Sequence, residues 1–422
     1  MSIIQNFKGP VQLYALPGAE AYVQVVAKWI ARNIINEITN KKKKIAKYLC
    51  MEENEEQSMT EYKGNIEDFI ANYIIGSFTY YTHRNGAIEI SINTSARLKD
   101  IYLFHTFSEA DIIDKNGTHK HLSLSDQELL LYNTLDAFLE AKINKVSIFE
   151  MNLGQARSDR PKGRGACNLR TFFRNITANG ANHFFTYQIH SNKSLIGLDN
   201  TKTTYDNLRG QSILKKYILH KYIKTVEYFK NVVQNEWIIS SVDAGGKDFA
   251  ARFAKSFMTP LLVVDKRRNQ ITGEIEEISI LKPESLPLEN KVVYIVDDMI
   301  DSAKSIENVC RKYKEFGVKE INVVAFYGLF SPPAEDILNQ LRKEGALKKV
   351  IITDLISHND EFLKRNPYIE IVDTTYTTAR IIHRNNSGRS LEKYFLTLNA
   401  EEYLKNKVEP NLIGDVTKNV KE

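Results

Sequence analysis

The chain is poor in cysteine, proline and tryptophan, with 3, 10 and 2 of them among 422 residues. Cys50, Cys167 and Cys310 are odd in number and far apart, which argues against a disulfide framework or a thiolate metal site and implies reduced thiols in a cytosol. No apolar run nears the length of a membrane span, and no charged-then-apolar leader pattern opens the sequence. The expectation is a soluble, cytoplasmic protein with no membrane partner. Long blocks of one charge are scarce too: the net charge is only +5, with lysines and arginines scattered among acids. Neither zinc-ligand spacing nor a basic–aromatic signature accompanies that excess, so nucleic acid is not an expected partner. The four-lysine run Lys41 to Lys44 reads as a solvated helix end or loop.

What is present is an ordinary globular composition, 43% hydrophobic and 26% charged, in a chain too long for one average core. Strands and helices alternate along it. Val11 to Leu13 reads as a strand, Glu20 to Ile38 as an amphipathic helix, and Asn40 to about Tyr80 as an insertion. Strands over Ala87–Asn93, Lys99–His105, Val146–Met151 and His183–Ile189 are separated by helices over Ser123–Ala141 and Ala166–Asn179. The second half repeats the plan: helix Tyr217–Asn231, strand Trp237–Val242, helix Lys247–Phe257 and strand Leu261–Val264, then a polar arm, Asn269–Ser279. Further strands follow over Val292–Val296, Ile321–Phe326, Val350–Thr353 and Ile369–Val372. Such alternation implies an α/β protein of two similar domains, each a mostly parallel sheet flanked by helices. The domains are expected over 1–210, with the insertion at about 40–80, and over 211–400, followed by a polar tail, 401–422.

The most informative stretch runs from Val292 to Ile306. A buried apolar strand ends in Asp297 and Asp298, and a short loop, Asp301-Ser302-Ala303-Lys304-Ser305, opens a helix from Ser305 to Phe316. A helix N-terminus presents unpaired N–H groups and a positive dipole end, which favours a phosphate. Carboxylates at the C-terminal edge of the same strand suit sugar hydroxyls, so the pair of features suits a polyol phosphate. Read blandly, the same residues are strand-end acids and a serine N-cap.

Three other groups fall at the C-terminal ends of expected strands. Asp243-Ala244-Gly245-Gly246 is a corner that lets backbone approach a ligand closely, Lys266-Arg267-Arg268 is a basic cluster before the polar arm, and His190 ends its strand. Each alone has a plain structural reading: a tight turn, a solvated cluster, a satisfied histidine.

Taken together, in this order and spacing, they resemble the ribose-phosphate pyrophosphokinases over nearly the whole chain. The stretch Val292–Ser305 is similar to the 5-phosphoribosyl-1-diphosphate (PRPP) signature that these enzymes share with type I phosphoribosyltransferases. The resemblance implies two tandem phosphoribosyltransferase-like domains that bind ATP and ribose 5-phosphate. It implies transfer of the β,γ-diphosphoryl group to the sugar's C1 hydroxyl, giving PRPP and AMP for nucleotide biosynthesis. Carried over, Asp297 and Asp298 would hold the ribose hydroxyls, and Asp301, Ser302, Ala303, Lys304 and Ser305 the 5-phosphate. His190 and Asp243 would stand near Mg2+, Lys266 and Arg268 would be the catalytic basic pair, and Arg157, Ser158, Asp159, His83 and Asn85 would lie on the ATP side. A homo-oligomer, a dimer or a hexamer built from dimers, is implied as well.

The chain departs from the family pattern in three places. Lys304 replaces a glycine of the phosphate loop, Ser158 replaces the glutamine of A-R-Q-D, and His83-Arg84-Asn85-Gly86-Ala87 stands where the ATP stretch F-x-D-G-E is expected. Two alternatives therefore stay open from sequence: a non-catalytic relative that regulates a true synthetase, and a phosphoribosyltransferase that consumes PRPP.

Overall fold

The computed structural model describes residues 9–38, 42–108, 110–161, 163–189, 198–268 and 275–406. The chain divides into two compact units, Met1–Leu208 with Thr375–Phe395, and Arg209–Thr374 with Leu396–Glu422.

In the first unit, strands β1 (Val11–Ala15), β4 (Asp100–His105), β7 (Lys145–Glu150), β8 (His183–Tyr187) and β9 (Thr204–Leu208) form one sheet in the order β1-β4-β7-β8-β9. Every pairing in it is parallel. Both faces are covered, so β4 reads Ile-Tyr-Leu-Phe and is buried along its whole length. One face packs Ile101, Leu103 and Ile148 against Leu131, Leu135 and Phe138 of helix Leu124–Glu140 and Phe172 and Phe173 of helix Asn168–Ala178. Hairpin β2–β3 (Phe78–Thr82, Ile88–Ile92) lays Phe78, Tyr80 and Ile90 on the same core, and β5–β6 (Ala110–Ile113, His119–Leu122) is a second hairpin.

Helix Glu20–Ile38 has the bounds its periodicity predicts, and it packs against helix Thr375–Asn386. That second helix is a difference from the division at 211–400. Its buried residues Thr378, Ala379, Ile381 and Ile382 complete the first unit, where the Thr378 hydroxyl lies 2.7 Å from the Tyr22 hydroxyl. The insertion is also more than a loop: it holds helices Lys42–Tyr48, Glu53–Glu61 and Ile66–Ile74, which bury Ile45, Met59, Ile70 and Ile74. Within the lysine run, Lys42 Nζ donates to the carbonyls of Thr60 (3.1 Å) and Tyr62 (3.2 Å), closing the C-terminus of the middle helix.

In the second unit, β10 (Trp237–Ser241), β11 (Leu261–Arg268), β12 (Ile275–Leu281), β13 (Val292–Ile300), β14 (Glu320–Gly328), β15 (Lys349–Thr353) and β16 (Ile369–Val372) form a sheet ordered β12-β11-β10-β13-β14-β15-β16. All its pairings are parallel except that of the edge strand β12. Three expectations are corrected here. The strand Leu261–Val264 continues to Arg268, and part of the polar arm is β12 rather than an open loop, because Ile278 and Ile280 alternate with Glu277 and Ser279 as a strand requires. Helix Tyr217–Asn231 is broken: a wide turn over Leu219–Ile223 ends at Lys224 with φ of 60°, and the Thr225 hydroxyl caps the restart by accepting from the Tyr228 N–H. Helix Ala400–Lys405 sits in this unit through Ala400, which is buried, and a Lys230–Glu401 ion pair of 3.1 Å.

Candidate active site

β10 and β13 run side by side until Ser241 faces Val296, where their pairing stops. β13 continues to Ile300 against β14 alone, so Asp297 and Asp298 lie on strand backbone beside the corner that follows β10. In that corner the Gly246 N–H donates to Asp243 Oδ1 at 3.1 Å, and a Cβ on Gly246 would stand 3.4 Å from Asp297 Oδ1. The glycine therefore lets the corner close onto the acidic strand end. Asp297 Oδ1 also accepts the Asp298 N–H at 2.9 Å. Burial first, and then the neighbouring Asp298 and Asp243, push the Asp297 carboxyl well above the usual carboxylate range. Three acids thus lie near one another, where a set of hydroxyl donors would be welcomed.

Past Ile300 the chain turns through half-buried Asp301 and Ser302 to Ala303, whose φ of 59° reverses the backbone, and helix Lys304–Glu315 begins. The N-cap, Ala303, has no side chain that could cap the helix, so the amides of the first turn lack an intrahelical acceptor. Lys304 is exposed, which means that its side chain does not fill the loop; the sequence left that point open.

Lys266 and Arg268 lie on the other side of β10. β11 pairs with β10 only at Leu261 and Leu262, and beyond these it pairs with β12, with a register shift between Arg267 and Arg268. The basic residues therefore sit on a two-stranded ribbon that continues past the parallel sheet. His190 lies outside the described residues. Among the described residues no group of three or more His, Cys, Asp or Glu side chains is arranged to hold a metal ion.

The residues expected on the ATP side all belong to the first unit, in two loops. His83 and Asn85 occupy the tip of hairpin β2–β3, where the His83 N–H donates to Ala87 O (2.9 Å), His83 Nε2 lies 2.8 Å from Glu89 Oε1, and Asn85 Oδ1 accepts the Ala87 N–H (3.1 Å). Arg157, Ser158 and Asp159 follow β7, with Arg157 exposed. The Ser158 hydroxyl accepts the Asn168 N–H at 3.1 Å and its carbonyl accepts the Leu169 N–H at 3.2 Å, so this residue fastens its loop to the start of helix Asn168–Ala178. The sequence reading missed a buried pair beneath that loop, His105 and Glu150, which end β4 and β7 opposite each other. Its only signal was a polar residue at the end of each of two apolar strands.

Residues 214–356 match the family model of the phosphoribosyl transferase domain. Over 310 residues the chain is 29% identical to a ribose-phosphate pyrophosphokinase of Thermotoga maritima, covering 72% of this chain and 88% of that protein. A ribose-phosphate pyrophosphokinase of Clostridium acetobutylicum is 27% identical over 312 residues, covering 74% of this chain and 86% of the relative. The chain is similar to the ribose-phosphate pyrophosphokinases over about three quarters of its length. The fold agrees: a phosphoribosylpyrophosphate synthetase from Mycobacterium smegmatis superposes with a TM-score of 0.63 at 18% identity, over 89% of this chain and 99% of that one. The fold is that of tandem phosphoribosyltransferase-like domains, to which the first unit adds a helical insertion.

Proposed function

We propose that the chain transfers the β,γ-diphosphoryl group of Mg-ATP to the C1 hydroxyl of ribose 5-phosphate, releasing AMP and forming PRPP. One observation carries the reading: an uncapped helix N-terminus at Lys304 follows directly on a strand whose end gathers Asp297, Asp298 and Asp243. A phosphate at the amides of Ser302–Ser305 leaves the sugar hydroxyls to reach the carboxylates, so both ends of ribose 5-phosphate are met by one strand–loop–helix segment.

In this reading the C1 hydroxyl oxygen forms a bond to the β-phosphorus as the bond from that phosphorus to the α-phosphate oxygen breaks. Little covalent work falls to side chains, and rate comes from positioning and charge. Asp297 and Asp298 orient the sugar. Lys266 and Arg268 lie on the β11–β12 ribbon and offset negative charge as it develops, and Arg157 with its loop, together with His83 and Asn85, serves ATP. Mg2+, when bound with ATP, would supply positive charge to the phosphates. A hard cation fits the donors at hand, which are carboxylate oxygens; Asp243 would hold it with His190, and an ion bound largely by phosphates and water needs no closed protein cage. A cytoplasmic homo-oligomer completes the proposal.

The test is AMP and PRPP formation by the purified protein with Mg2+, ATP and ribose 5-phosphate, beside Lys266→Ala. The variant is expected to lose roughly 100- to 1,000-fold in kcat while ribose 5-phosphate binding, followed by calorimetry, stays within about twofold. Equal losses in both would remove Lys266 from its role. A second reading, a non-catalytic regulatory relative, draws support from the Ser158 hydroxyl, which is taken up by the Asn168 N–H. Calorimetric binding of ribose 5-phosphate or PRPP without turnover would favour it.

A further inference from the structure

The first unit holds a polar cluster that the proposed reaction does not use. His105 and Glu150 are both wholly buried, and His105 Nδ1 lies 2.7 Å from Glu150 Oε2. Among the described residues His105 Nε2 has no hydrogen-bond partner. Burying such a pair is costlier than burying two aliphatic side chains, so its presence calls for a reason beyond stability.

Contacts lead from the pair into the loop after β7. Burial pushes the Glu150 carboxyl up, against the pull of His105 and of a backbone hydrogen bond from Asn152. Asn152 is clamped to the loop after β4 from both directions: its carbonyl accepts the Phe107 N–H at 3.2 Å, and its Nδ2 donates to Phe107 O at 3.2 Å. The Phe107 ring stands edge-on to His105, with centroids 4.8 Å apart. The same residue presses on Gly154 so closely that a Cβ there would come within 2.5 Å of it. The contacts close a circuit from His105 through Glu150, Asn152 and Phe107 back to His105. Gly154 then hands the chain to Gln155, whose Nε2 donates to Glu128 Oε2 at 3.0 Å, and to Arg157.

We propose that His105 and Glu150 are positioning residues that fix the base of the loop Met151–Asp159 and thereby aim Arg157 at ATP. The role at ATP rests on the function proposed above; the fixing of the loop does not. Because a small misplacement of a binding group is multiplied in affinity, the pair acts on ATP and leaves ribose 5-phosphate alone.

The test compares the wild type with His105→Gln and with the double variant His105→Leu/Glu150→Leu. The double variant removes both buried polar side chains together, so neither is left without its partner and the unit is expected to fold. It should raise the KM for ATP roughly tenfold or more, with kcat and the KM for ribose 5-phosphate within about twofold. His105→Gln keeps a side-chain donor for Glu150 and should restore near-wild-type values. Hydrogen exchange is read in parallel: amides from Asn152 to Ser158 should exchange faster in the double variant, while those of β4 and β8 do not. Unchanged exchange and an unchanged KM for ATP would overturn the proposal, as would a general rise in exchange with both KM values and kcat worsening together. A wild type that forms no PRPP would sink the proposed reaction, and the exchange comparison would still decide whether the pair fixes the loop.

Discussion

A buried lysine and a half-buried aspartate in the second unit make opposite contributions to stability, and each has a sign that can be checked. Lys215 is buried on helix Gln211–Ile218, where Nζ donates to Arg252 O (2.8 Å) and Ser256 Oγ (2.9 Å). Burial, helped by the charges of Arg252 and Arg209, pulls its pKa down to about 7. Above that pH the folded chain has released a proton that the unfolded chain keeps up to the ordinary lysine range, so stability rises with pH across this window. The slope is at most about 1.4 kcal/mol per pH unit, and Lys215→Met should flatten it in urea unfolding followed at pH 6.5 and 9, chosen as ~7 bracketed on both sides. Asp297 works the other way. Its raised carboxyl keeps a proton that the unfolded chain loses earlier, so stability falls as pH climbs out of the carboxylate range. Asp297→Asn should therefore raise the melting temperature at about pH 8 by a few degrees and leave it unchanged near pH 3, while weakening ribose 5-phosphate binding. A variant no more stable than the wild type at the higher pH would contradict this account.

At the scale of elements, the loop between β13 and its helix holds a non-glycine residue in left-handed backbone, Ala303 at φ of 59°. An L-residue in that region carries a penalty of about 1–2 kcal/mol, partly offset in the exchange to glycine by the looser unfolded chain. Ala303→Gly is expected to raise the urea midpoint by an amount on the order of 1 kcal/mol; a loss of stability would show that the Ala303 methyl, which is buried, contributes more by packing. The insertion shows the complementary case. Its helices are short and polar on one side, and they are held by Ile45, Met59, Ile70 and Ile74 rather than by propensity. Two hairpins of the first unit likewise depend on what lies beneath them, since β2 and β3 are only half-buried strands resting Phe78, Tyr80 and Ile90 on the main core.

At the scale of the molecule, the family likeness extends across both units, but the chain does not pass from one to the other only once. Thr375–Phe395 returns to the first unit after the second sheet is complete. There Asn386 Nδ2 donates to Gly9 O (3.1 Å) and Asp100 Oδ2 (3.0 Å), beneath the fully buried Asp100. Asn386→Ala should destabilise the first unit by about 1–3 kcal/mol, because it strips a donor from a buried carboxylate. Hydrogen exchange resolved by segment would then show faster opening in β1 and β4 and no change in β13 and β14. Equal loosening of both sheets would mean that the two units open as one.

The amino-acid sequence by itself determined most strands of both parallel sheets, since these are short apolar runs bounded by turn residues, and such runs are specified locally; the edge strand β9, Thr-Tyr-Asp-Asn-Leu, has no such run and went unread. It also determined the acidic strand end and the short loop that opens the next helix, which lie within fifteen consecutive residues, Val292 to Ile306. Tertiary structure alone decided the rest. Whether Asn40–Tyr80 was a loop or a set of helices depended on the apolar face of helix Glu20–Ile38, and whether Thr375–Asn386 joined the first or second unit depended on partners more than three hundred residues away, such as Tyr22. The pairing of His105 with Glu150 is of the same kind: two polar residues 45 positions apart became a buried pair only because β4 and β7 are neighbours in register. Contacts of that range carry no local periodicity, so no window of sequence records them.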